Sequence, residues 1–109
     1  MQKKSLNKVV LIGRLGAKPE GRYTKEGKSV SSFSLATNES WNSSDGKNTE
    51  HTEWHNVVVW GKMADFATEY LKKGQLVHVE GILRSRQWAD KEGVSHKVVE
   101  IICSNIIAL

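Results

Sequence analysis

Apolar and polar positions alternate along much of this chain with a period of two, the signature of β-strands. Lys8 to Gly13 (KVVLIG) is a compact β-branched run, broken by Gly13, Gly16 and the only proline, Pro19. The segment Gly13-Arg14-Leu15-Gly16 reads as a strand-end bend. Tyr23 to Gly27 predicts a short strand and turn. Val30 to Thr37 alternates, with Phe33 and Leu35 on one side and Ser32, Ser34 and Ala36 on the other. Asn38 to Glu53, rich in Asn, Ser and Thr, predicts a long flexible loop with a turn at Asp45-Gly46. In Trp54 to Trp60, Val57 and Val59 share a face with His55, while Trp54, Asn56, Val58 and Trp60 share the opposite one. The valine face can supply core, which leaves both tryptophans facing out.

One helix interrupts this pattern. Met63, Phe66, Ala67, Tyr70 and Leu71 follow the rhythm of one buried stripe, with Gly74 as its left-handed stop. Leu76 to Trp88 then predicts a strand running into a hairpin arm. Glu80, Arg84, Arg86 and Trp88 lie on one face of it, and Val77, Val79 and Leu83 on the other. Asp90-Lys91-Glu92-Gly93 is the turn, and Val94 to Ile102 returns. Five main strands with a helix between the third and fourth match an OB-fold, an all-β Greek-key barrel. The length suits a single domain, residues 1–109.

Composition narrows the chemistry. The net charge of +4 favours an anionic partner without naming it. No apolar run reaches the roughly 18 residues of a membrane span. Cys103 is the only cysteine, so the chain has no internal disulfide. Its apolar setting suggests a buried thiol in a reducing, intracellular environment. His51 and His55 resemble a zinc-helix pair only superficially, because residues four apart on a strand lie about 13 Å from each other. We therefore expect neither metal nor cofactor. No nucleophile has a convincing base and orienting partner, so no enzyme is expected.

The four tryptophans change the picture most. Trp41 sits among Asn and Ser, Trp54 and Trp60 bracket a strand, and Trp88 follows Arg84-Ser85-Arg86-Gln87. A small domain gains most by burying such side chains. Left among polar and cationic neighbours, they suit stacked bases beside phosphates.

The chain resembles the bacterial-type single-stranded DNA-binding proteins over nearly its whole length. Leu6 to Gly16, Pro19 to Tyr23, Leu35 to Trp41, Thr52 to Lys62, Glu69 to Gly74 and Val79 to Trp88 carry the similarity. The resemblance implies sequence-nonspecific binding of single-stranded DNA in replication, recombination and repair. By the same resemblance, Trp41, Trp54 and Trp88 are base-stacking residues, and Trp60 stands where phenylalanine is common. Arg22, Lys62, Lys73, Arg84 and Arg86 match phosphate-path positions, and we add Lys8 as a candidate contact. Asn56 replaces a residue that is often basic. The resemblance also implies a homotetramer, with His55, Leu76 and His78 at or near the subunit interface. Family members usually continue into an acidic tip that recruits replication and repair proteins, so that recruitment is expected only of a form carrying such a tail. The expected setting is the bacterial cytoplasm and nucleoid, with the mitochondrial matrix second. Two competing readings are an OB-fold RNA binder of the cold-shock type and a replication-restart accessory protein of the same fold that works through protein contacts.

Overall fold

A computed structural model describes residues 4–109, so the first three residues of the expected 1–109 domain lie outside it. Six strands and one helix follow in the order β1 (Val9–Leu15), β2 (Glu20–Tyr23), β3 (Ser29–Asn42), β4 (Asn48–Trp60), α1 (Lys62–Tyr70), β5 (Leu76–Ala89) and β6 (Ser95–Ala108). Five are the expected barrel strands, and β2 is a short addition along β3. The strands run β1-β5-β6-β4-β3-β2, and a further β1–β3 pairing closes the first five into a barrel. All pairings are antiparallel except β4 with β6.

Two of the closing seams are short. β1 meets β3 only at Arg14↔Ala36 and Leu15↔Leu35. β4 meets β6 only at Val57↔Ile101 and Val58↔Ile102. Close approach at the first seam is the work of Gly13, where a methyl group would run into the Ala36 carbonyl oxygen. Gly13 thus lies within β1, not in a bend after it.

The core fills the barrel with β-branched and aliphatic side chains. Val57, Val59, Val77, Val79 and Leu35 are fully buried. A side chain of this kind contributes about 1.5–3 kcal/mol when removed from water. Cys103 joins this core, and burial pushes its thiol pKa up, as a structural cysteine requires.

The helix closes one side of the barrel with part of the expected stripe, since Met63 packs against the core and Ala67 and Leu71 lie in it. Ala64, Ala67 and Leu71 are buried, while Phe66 and Tyr70 point outward and lie against each other, ring centroids 5.5 Å apart. The two alanines let the helix backbone come close to the barrel, leaving no room for large rings there. The helix also ends earlier than expected: Leu71 is already extended, and its amide donates to the Ala67 carbonyl. Gly74 is left-handed in a separate turn, where its amide donates to the Leu15 carbonyl at 2.8 Å.

The largest correction concerns residues 38–53. They form a two-stranded ribbon, not a loop, with β3 and β4 paired continuously from Val30↔Trp60 to Asn42↔Asn48. The turn at Asp45-Gly46 is where it was expected: the Ser43 amide donates to the Lys47 carbonyl at 2.8 Å, and Gly46 has φ +81°. The β5–β6 ribbon ends in the same kind of turn, with Asp90 donating to Val94 at 3.0 Å and Gly93 at φ +81°. Both match a tight turn with a left-handed glycine before the return strand. Of the short strand and turn expected at Tyr23–Gly27, the turn is there, closed by Thr24 and Lys28, while the strand lies earlier, β2 ending at Tyr23.

Candidate nucleic-acid interface

The strand parity of β4 fixes the centre of the site. Val57 and Val59 point into the core, so Trp54, Asn56 and Trp60 must emerge on the opposite face. None of the four indoles is core. Trp41, Trp54, Trp60 and Trp88 are 48%, 56%, 41% and 45% exposed.

A groove runs along this face. At one end Trp60 meets Arg22, Arg84 and Arg86 over a floor of Ser32, Val58 and Ile102. At the other, Arg86 and Glu100 face Ser34, Asn56 and Lys18. Trp54 stands beside Asn56 in an adjoining hollow with Leu83 and Val99. Its ring lies over Gly16, where a methyl group would come within 2.6 Å of the indole. The bare backbone at Gly16 therefore seats Trp54.

The expected cations divide into two sets. Arg22, Arg84 and Arg86 converge in the groove with Trp60. Lys62 and Lys73 are exposed at the two ends of the helix region, and Lys8 just ahead of β1, outside the groove lining. Trp41 and Trp88 stand on the two ribbons, each two residues ahead of the turn. Leu83, on the same face of β5 as Val77 and Val79 as expected, is 49% exposed, beyond the buried stretch of the strand. Asn7 holds the strand there, its side-chain amide donating to the Leu83 carbonyl and accepting from the Leu83 amide.

Several residues escaped the sequence reading. Glu100 lies in the middle of the groove with only 13% of its side chain exposed, and it accepts a hydrogen bond from Arg86 Nε at 3.0 Å. His96 faces Trp88 across the ribbon, their rings stacked at 4.5 Å. Asp90 is held below the ordinary carboxylate value, chiefly by its hydrogen bond with His96 and then by the Val94 amide. Asp45 is lowered likewise, by the Ser43 hydroxyl first and the Lys47 amide second.

The expected interface residues lie elsewhere. His55 shares a 2.9 Å hydrogen bond with Thr37 beside the core. Leu76 and His78 are on the outer face of β5, where His78 pairs with Ile12 on one side and Ile107 on the other. Ile12 and Ile107 are about half exposed, and His78 Nδ1 is buried without a hydrogen-bond partner among the described residues.

Comparison with known proteins places the family and the fold. The single-stranded DNA-binding protein of Neisseria meningitidis is 47% identical over 102 residues, 94% of this chain and 59% of that one. Single-stranded DNA-binding protein 1 of Chlorobaculum tepidum is 49% identical over 104 residues, 94% of this chain and 64% of that one. The chain thus spans about three fifths of these relatives. Among solved structures, a Plasmodium falciparum SSB in complex with ssDNA superposes with a TM-score of 0.87 at 38% identity, covering 100% of this chain and 99% of that one. A deletion mutant of the Thermus aquaticus single-stranded DNA-binding protein gives 0.81 at 36% identity, over 95% of this chain and 50% of that one. The model of the single-strand binding protein family matches residues 6–109, and the chain belongs to that family.

Proposed function

We propose that this chain binds single-stranded DNA without marked sequence preference. The observation that carries the reading is Trp60 lining a groove with Arg22, Arg84 and Arg86, with half-exposed Trp54 in the adjoining hollow and half-exposed Trp41 and Trp88 on the two ribbons. Bases stack on Trp54, Trp60, Trp88 and Trp41, while the guanidinium groups meet phosphates and release counterions. Lys8, Lys62 and Lys73 extend the cationic path beyond the groove. A duplex hides its base faces and binds poorly. The role is binding, not catalysis, in protecting exposed strands during replication, recombination and repair. The setting proposed with this role is the bacterial cytoplasm and nucleoid.

The same reading includes assembly into a homotetramer. The apolar row Ile12, His78 and Ile107, with Leu76 nearby, offers a surface for a second copy, and His55 lies at the edge of the core.

Titrating tryptophan fluorescence with oligo(dT) tests the binding. Strong quenching by the single strand, weakened by salt and absent with duplex, is the expected result. A folded protein without quenching refutes base stacking, and a preference for oligo(U) of equal length turns the reading toward RNA.

A further inference from the structure

Trp88 stands near the end of a two-stranded ribbon, where no core holds a side chain still. Yet it is held. Trp88 and His96 are directly opposite each other on β5 and β6, with ring centroids 4.5 Å apart and planes inclined by 22°. The imidazole is itself fixed from behind by Asp90, whose Oδ2 lies 2.9 Å from His96 Nε2. An ionised carboxylate only accepts, so Nε2 carries the hydrogen. The other oxygen of Asp90 accepts the amides of Glu92 and Val94, both at 2.9 Å. One carboxylate therefore joins the tip turn to the imidazole, and the imidazole joins the turn to the indole. Farther along the same face, Arg86 is engaged by Glu100. On the other ribbon, Trp41 occupies the equivalent place but faces Thr49, which has no ring to offer.

We propose that His96 is the positioning residue of the Trp88 platform. It covers one face of the indole and ties it to the turn, so that Trp88 presents a single, preset face to a base. The role rests on the single-strand binding reading. Its physical content is preorganisation: a side chain ordered before binding does not lose that freedom on binding.

A double-mutant cycle on the whole chain tests it, read by oligo(dT) affinity, with far-UV circular dichroism as the check on folding. His96→Ala should weaken binding about three- to tenfold, part of one stacked base. His96→Phe, which keeps the ring, should restore most of the loss. His96→Gln, which can still reach Asp90 but has no ring, should not. In a Trp88→Ala background, His96→Ala should have no further effect. Wild-type affinity in His96→Ala overturns the role, as does rescue by Gln. Equal losses with and without Trp88 also overturn it, because His96 would then act on DNA by itself. Proton NMR supplies a readout that needs no substitution at His96. The imidazole protons should be shifted upfield by the indole ring and return in Trp88→Ala; unshifted protons contradict the stack. A wild type that fails to bind oligo(dT) removes the DNA-binding reading and this role together, whereas a binding wild type with an indifferent His96→Ala removes this role alone.

Discussion

The two ribbons that extend from the barrel share a turn and differ in almost everything built on it. Each places one tryptophan two residues before a turn closed through a left-handed glycine. The β3–β4 ribbon carries Glu39, Asp45, Glu50 and Glu53 against Lys47 alone. The β5–β6 ribbon carries Arg84, Arg86, Lys91 and Lys97 against Asp90, Glu92 and Glu100, the last already paired to Arg86. Trp88 is backed by an imidazole, and Trp41 by a threonine. Backbone geometry thus makes two equivalent arms, and side-chain charge makes one of them far better suited to a polyanion.

Truncation of the tryptophans is the strongest way to break this comparison. Trp54→Ala and Trp88→Ala should each weaken oligo(dT) binding by about 1–3 kcal/mol, the range common to aromatic platforms of single-strand binding domains. Trp41→Ala, on the acidic ribbon, should lose less than about 1 kcal/mol. Calorimetric titration of all three variants decides it, and equal losses at Trp41 and Trp88 would mean that ribbon charge is irrelevant.

A smaller effect should come from Glu100. In the free protein its carboxylate occupies Arg86, so an incoming phosphate has to displace it. Glu100→Gln should tighten binding about two- to fivefold and steepen the logarithmic salt dependence by about 0.7, the value for one additional single-strand phosphate contact. An unchanged slope would show that Arg86 meets no phosphate.

The smallest effect concerns the tips themselves. Asp45 and Asp90 both have folded-state pKa values below the ordinary 3.8. Their contribution to the turns is therefore complete above that value and disappears as the pH falls through the lowered ones. Amide NMR signals of Lys47, Glu92 and Val94 should move only in that acidic window. Asp90→Asn should abolish the movement at Glu92 and Val94 alone. Movement near neutral pH would assign it to another group.

What the sequence revealed depended on contrast between faces. Trp54 to Trp60 was legible because valines and tryptophans alternate, and one face had to be core. Residues 38–53 were not, because a ribbon solvated on both sides shows no apolar alternation and looks like a loop. The helix was legible in place but not in its end, and its facing only in part: Phe66 and Tyr70 outweigh Ala64 in any hydrophobic stripe, although the close approach to the barrel selects the small residue. Glu100 and His96 needed the cross-strand register, which runs unbroken from Ala89↔Ser95 to Arg84↔Glu100 but is set by a turn that closes on Val94, one residue beyond the expected Asp90-Lys91-Glu92-Gly93. A register of Trp88 against His96 is the signal that identifies the imidazole.

The two-pair seam between β4 and β6 has a mechanical consequence. It is a short joint in the hoop, and it lies directly under the groove: Val58 lines the groove from one side of the joint and Ile102 from the other. On the proposed function, a strand of nucleic acid in the groove would act as a clasp, bridging the joint from outside, so that occupancy and closure of the barrel reinforce each other and breathing at this seam subsides as the groove fills.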